Sequence, residues 1–201
     1  SLINNGDAGI EVSSLTAVGN TLYFIADDET LFADGTNGKE LWKSDGTAAG
    51  TVLVKDIVSG SSSSNPSQLT AVGNTLYFRA NDGNNGYELW KSDGTAAGTV
   101  LVKDINSGSG HSSPQSLTAV GNTLYFTADD GNNGYELWKS DGTASGTVMV
   151  KDINSGSGSG SPNELTAVGN TLYFRANDGT NGQELWKSNG TASGTVMVKD
   201  I

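Results

Sequence analysis

The chain has no cysteine, one histidine, three prolines and two methionines among its 201 residues. Without cysteine there is no disulfide framework, no thiol nucleophile and no cysteine-ligated zinc. The single histidine, His111, sits in a glycine-serine stretch, so neither a Ser-His-Asp triad nor a multi-histidine metal site has a basis. Positive charge is sparse as well. Eleven Lys and Arg, scattered singly, stand against 22 Asp and Glu, for a net charge of −11. No basic cluster exists to follow a phosphate backbone, and nucleic acid would be repelled at long range. No apolar run approaches the roughly 20 residues of a membrane-spanning helix, so membrane insertion is not expected. The apolar fraction is only 35%, while 28 glycines mark many turns. That balance suits short strands on tight loops and is poor for helices. The opening residues, Ser1-Leu2-Ile3-Asn4-Asn5, do not read as a signal peptide, and no initiating Met is present. The chain therefore reads as a processed or excised piece of something longer.

What the chain has in abundance is itself. Glu-Leu-Trp-Lys-Ser-Asp-Gly-Thr occurs at 40–47, 88–95 and 136–143, and returns at 184–191 with Asn189 for the Asp. Trp42, Trp90, Trp138 and Trp186 are spaced 48 residues apart throughout. The whole chain, 1–201, divides into four repeats, 4–57, 58–105, 106–153 and 154–201, the first carrying six extra residues, 29–34. A period of about 40–50 residues is what a four-stranded propeller blade requires. Within the second repeat, four strand-like runs rich in Leu, Val, Tyr, Phe, Trp and Thr are predicted at Leu69–Val72, Thr75–Asn81, Tyr87–Lys91 and Thr99–Ile105. Gly73-Asn74 suits a two-residue hairpin, and Asp82–Gly86 and Asp93–Gly98 suit longer turns. A glycine- and serine-rich crossing, Asn106–Ser116, joins one repeat to the next. The expected fold is all-β: one propeller domain of four four-stranded antiparallel blades. Two ways of completing it stay open, a four-bladed monomeric ring or half of an eight-bladed ring completed by a head-to-tail homodimer. The tryptophans are expected to wedge between blades as core.

The runs Leu-Thr-Ala-Val-Gly-Asn-Thr-Leu-Tyr-Phe, Glu-Leu-Trp-Lys-Ser-Asp-Gly-Thr and Gly-Thr-Val-x-Val-Lys-Asp-Ile together resemble the bacterial ELWxxDGT repeat family. The resemblance covers the whole chain. It implies a β-propeller, secreted or at the cell surface, within large repetitive bacterial proteins, and it implies no particular activity.

Two polar motifs carry the candidate chemistry, and the meander places them on opposite sides of the blades. The first is the loop Asp82, Asn84, Gly86 and Glu88, repeated as Asp130, Asn132, Gly134, Glu136 and as Asp178, Thr180, Gly182, Glu184. Oxygen ligands at alternating positions around glycine-bent backbone resemble part of a calcium loop. The alternative is that each Asp caps its own turn. The first repeat keeps the spacing as Asp34, Thr36, Gly38 and Glu40. The second motif is Ser92-Asp93-Gly94-Thr95, in which Asp93 is expected to accept amide hydrogen bonds within the turn; Asn189 keeps that capacity without the charge. Lys103 and Asp104 are adjacent in a strand and point to opposite faces, so each is open to a cross-strand or cross-blade ion pair. Enzymatic use is not expected. Glycoside hydrolysis needs two carboxylates in different environments, and the acids that break the repetition, Glu11, Glu29, Asp34 and Glu164, stand in no such setting.

Two functions remain. One is a non-catalytic extracellular binding or adhesion module for a glycan or protein ligand, stabilised by calcium if the acidic loops bind it. The other is a purely structural spacer within a larger secreted bacterial surface protein. The positions that vary between repeats, such as Arg79, Thr127 and Arg175, or Tyr87, Tyr135 and Gln183, gather near the loop between second and third strands.

Overall fold

The structure is a computed structural model that describes residues 12–27 and 37–201. The inserted residues 29–34, the first repeat's Asp34 and Thr36, Glu11, and the opening residues 1–5 lie outside the described residues. Blade 1 comprises β1 (Ser13–Val18), β2 (Thr21–Asp27), β3 (Lys39–Ser44) and β4 (Val52–Lys55). Blade 2 comprises β5 (Ser67–Val72), β6 (Thr75–Asn81), β7 (Tyr87–Ser92) and β8 (Val100–Lys103). Blade 3 comprises β9 (Gln115–Val120), β10 (Thr123–Asp129), β11 (Tyr135–Ser140) and β12 (Val148–Lys151). Blade 4 comprises β13 (Asn163–Val168), β14 (Thr171–Asn177), β15 (Gln183–Ser188) and β16 (Val196–Lys199). Each blade is a four-stranded antiparallel meander in chain order, as the turn chemistry predicts. The chain is thus an all-β propeller fold of four blades, and no helix among the described residues is long and apolar enough to cross a membrane.

The strands of blades 2 and 3 are covered on both faces, which explains their near-continuous apolar runs. Between blades 1 and 2, Val18, Tyr23, Leu41 and Val54 pack against Leu76, Phe78, Ala80 and Trp90. The same sets recur between blades 2 and 3 and between blades 3 and 4. Trp90, Trp138 and Trp186 are therefore core residues, each filling the seam to the preceding blade. Truncating one to Ala would cost about 3–5 kcal/mol.

Lysines stitch the seams. Lys43 Nζ donates to Gly94 O at 2.8 Å, Lys91 to Gly142 O at 2.8 Å and Lys139 to Gly190 O at 2.7 Å. Lys55, Lys103 and Lys151 reach the next blade in the same way, to Thr99 O, Thr147 O and Thr195 O. The cross-blade partner of Lys103 is thus a backbone carbonyl, not the acid of an ion pair, while Asp104 turns back to accept from Gly108 N–H at 3.0 Å. A carbonyl serves better here because it is fixed by the turn and needs no second charge desolvated. Lys103 and Lys151 also lie over the rings of Trp138 and Trp186.

The innermost strands β1, β5, β9 and β13 pack side by side in that order, but β13 and β1 do not pack on each other in this way. The far face of blade 4 is correspondingly open: Val168, Leu185, Val198 and Ile201 are exposed.

Candidate functional site

At the end of each blade where the second-to-third strand loop and the blade linker emerge, the residues read as a calcium loop are engaged by protein donors. Asp82 Oδ1 accepts from the N–H groups of Asn84 and Asn85 at 2.9 and 2.8 Å, and Oδ2 accepts from the Asn85 amide at 2.7 Å. Asp130 repeats this with Asn132 and Asn133, and Asp178 with Thr180 and Asn181. Thr180 contributes its backbone N–H, which is why it can stand for Asn84 and Asn132. Burial alone would raise the Asp82 and Asp130 carboxyls, but the turn donors outweigh it and hold both below the usual range.

Glu88 belongs to a different construction. Its side chain is fully buried and accepts from Ile105 N–H at 3.0 Å, Ser112 N–H at 2.9 Å and Ser112 Oγ–H at 2.5 Å. Glu40 holds Ser64 in the same way, and Glu136 holds Ile153 and Gly160. Glu184 accepts from Ile201 N–H at 3.0 Å. These acids fasten each outgoing linker to the blade it leaves. Asp82 and Asn84, Asp130 and Asn132, and Asp178 and Thr180 thus share a turn, whereas Glu88, Glu136 and Glu184 accept from other donors. No group of three or more acidic or histidine side chains converges among the described residues. In this structure the oxygens of these side chains serve capping and tethering.

The Ser92–Thr95 motif, at the opposite end, is a turn built as expected. Asp93 Oδ1 accepts from Thr95 N–H at 2.9 Å and Thr95 Oγ–H at 2.7 Å, with Gly94 at φ +89°. Asn189 Oδ1 makes the same two bonds to Thr191, at 3.0 and 2.7 Å. The cap keeps its geometry with an amide oxygen in place of the carboxylate.

The linker end is also where the blades differ. Ser67 pairs in register with Arg79, Gln115 with Thr127 and Asn163 with Arg175. The variable positions of the second strands thus face variable positions at the start of the innermost strands across one ladder. A β-bulge interrupts each of these pairings, and Gln68, Ser116 and Glu164 there adopt left-handed backbone at φ 59°, 54° and 55°. Such conformations cost on the order of 1 kcal/mol in a non-glycine residue and gather at functional positions.

The three rims carry different surfaces. In blade 2, Arg79 Nε donates to Ser67 Oγ at 3.0 Å and its guanidinium lies 5.0 Å from the centre of the Tyr87 ring. His111 Nδ1 accepts from Tyr87 N–H at 2.9 Å, with the two rings 5.4 Å apart. In blade 4, exposed Arg175 and Glu164 approach at 3.9 Å. In blade 3, Thr127 replaces arginine and turns its hydroxyl inward, donating to Pro162 O at 2.6 Å. The shorter side chain leaves a cleft of about 250 Å³ lined by Gln115, Ser116, Thr127, Tyr135, Ser161, Pro162 and Asn163. Thr127 and Tyr135 were visible in the sequence as variable positions. Gln115, Ser116, Ser161 and Asn163 were missed, although Gln115 and Ser116 are among the ten positions that differ between the second and third repeats.

No family model and no curated protein matches the chain. Among solved structures it is similar to a puromycin hydrolase, with a TM-score of 0.56 and 13% identity over 94% of this chain and 30% of that one. It is similar to a prolyl endopeptidase at TM-score 0.56 and 14% identity, over 94% of this chain and 26% of that one. TolB from Acinetobacter baumannii matches at TM-score 0.52 and 12% identity, over 93% of this chain and 42% of that one. The chain spans less than half the length of each of these proteins, and the likeness runs through their β-propeller domains. At such identities it shows the fold alone.

Proposed function

We propose that the chain is a non-catalytic binding module of an extracellular repeat protein, taking a polar ligand, a glycan before a protein, on its linker rim. The observation that carries this reading is the blade 3 cleft. In blades otherwise almost identical, the lining is drawn mainly from variable positions and combines an aromatic ring with amides and hydroxyls. An aromatic face with hydrogen-bonding groups around it suits a sugar ring, which is apolar on one face and rich in hydroxyls at its edge. The repeated frame is occupied by internal bonds, so a ligand would meet the rim and not the Glu-Leu-Trp core. The extracellular setting rests on the acidic composition and on the resemblance to secreted repeat proteins.

A glycan-array screen of the chain, with Tyr135→Ala beside it, tests the proposal. We expect one sugar class to bind, and the variant to weaken it about tenfold, equivalent to ~1.4 kcal/mol. An array with no signal would leave the spacer reading in its place.

A further inference from the structure

We propose that the open face of blade 4 seats blade 1 of a second copy of this chain, so that two chains close head to tail into one eight-bladed ring. Leu185 is 40% exposed, whereas its equivalents Leu41, Leu89 and Leu137 are at 0%. Val168 is 59% exposed and Val198 45%, although Val72 and Val102, their equivalents in blade 2, are buried. In each internal seam this face is occupied by one and the same partner surface, the face that a following blade turns towards it.

Blade 1 offers that partner surface, and its inner and turn-side parts are open. Leu15 is 62% exposed, while the equivalent Leu69, Leu117 and Leu165 pack against the preceding blade. Gly46 and Thr51 are exposed, while Gly94 and Thr99, Gly142 and Thr147, and Gly190 and Thr195 are buried beneath the preceding blade. Those buried carbonyls are the ones that receive lysines across each seam. By the same register, Lys187 and Lys199 of one copy would reach Gly46 O and Thr51 O of the other. Tyr173 would lie on Gly46 as Tyr23 lies on Gly94. The middle of blade 1's face, Phe24 and Ala26 of β2 and Trp42 of β3, the equivalents of Phe78, Ala80 and Trp90 in the internal seam, is already buried in the single chain, so the contact is made by the inner strand and the turns.

Two copies are the number that closes. Head-to-tail contacts form a ring when the rotation permits it, propellers run to about four to eight blades, and β13 and β1 do not pack together as the other neighbouring inner strands do. Eight is the next multiple of the four blades that each chain brings.

Light scattering coupled to size exclusion tests this across a range of chain concentrations. The expected mass is twice the 20.7 kDa of one chain, and Leu185→Glu and Leu15→Glu are each expected to halve it. Both leucines are exposed in the single chain, so neither variant buries a charge in it, and an unchanged circular dichroism melt would show that it folds. A single-chain mass for the wild type at every concentration overturns the proposal. So does a ladder of higher masses, or a two-chain mass that survives both substitutions.

Discussion

Glu88 holds Ser112 from 24 residues away: its carboxylate accepts the Ser112 N–H at 2.9 Å and the hydroxyl at 2.5 Å, inside a fully buried site. The bond fixes where the chain turns from blade 2 into blade 3. Glu40 and Glu136 repeat it at the neighbouring seams. This relationship sets the position of the linker rim, and with it the cleft.

Removing the acceptor should therefore loosen a seam. Glu88→Ala strands the N–H groups of Ile105 and Ser112 and leaves the Ser112 hydroxyl only Tyr87 O at 3.4 Å, and each buried donor left unmet costs about 1–3 kcal/mol. We expect a loss of roughly 3 kcal/mol in urea unfolding, and a smaller one for Glu88→Gln, which keeps an acceptor oxygen. An unchanged midpoint for Glu88→Ala would show that the tether contributes nothing.

The same carboxylates set an unusual dependence on pH. Burial pushes Glu40 and Glu136 up to about 7, against donors that pull them down. In the unfolded chain they titrate near 4.5, so between these values the folded state binds more protons. Stability should then fall as pH rises from about 4.5 to about 7, and flatten above. The turn aspartates act in the opposite sense. The Thr95 hydroxyl and N–H hold Asp93 below its ordinary 3.8, as Thr47 and Thr143 do for Asp45 and Asp141. Their contribution is lost as pH drops through that range. Melting temperature against pH should peak near pH 4 to 5; a peak near 7 would contradict the assignment of the buried acids.

At the opposite end, Asp93→Asn should be nearly silent, within about 0.5 kcal/mol, because Asn189 already makes both bonds in blade 4. Gly98→Ala should cost about 1–3 kcal/mol. A Cβ there would lie 2.1 Å from Asp93 Oδ1 and would displace the capping carboxylate. Thermal melts of the two variants check the pair. Equal melts would mean that the turn is not held by the cap.

Added calcium at millimolar concentration should leave the melting temperature where it is. The oxygens of Asp82 and Glu88 are committed to separate donors, in the turn and in the linker. A rise that a chelator reverses would restore the acidic loops as a metal site.

Much of the frame is legible in the sequence because repetition reports local order. The strand Thr75–Asn81 and the hairpin at Gly73-Asn74 stand where the residue pattern places them. The tryptophans fill the seams because nothing else in the repeat is as large and apolar. What repetition does not report is which groups meet between blades. Lys103 finds a carbonyl 44 residues on, a partner with no side-chain signature. Glu88 looked like the far end of an acidic loop because it follows that loop in sequence. Its strand position turns it inward instead, opposite the buried Ala80. One signal did point that way: an acid kept in all four copies, in front of Leu-Trp, needs a buried partner. The cleft escaped notice because it arises from a loss of volume, threonine for arginine, and only the packed rim shows what that loss opens.

The most direct test of the central idea, a fixed frame with a variable binding rim, is to refill the cleft. Thr127→Arg restores the residue that Arg79 and Arg175 supply at the same position in blades 2 and 4. We expect its melt to match the wild type and its binding to the glycan class found on the array to disappear. A variant that melts normally and binds as well as the wild type would contradict the cleft as the site.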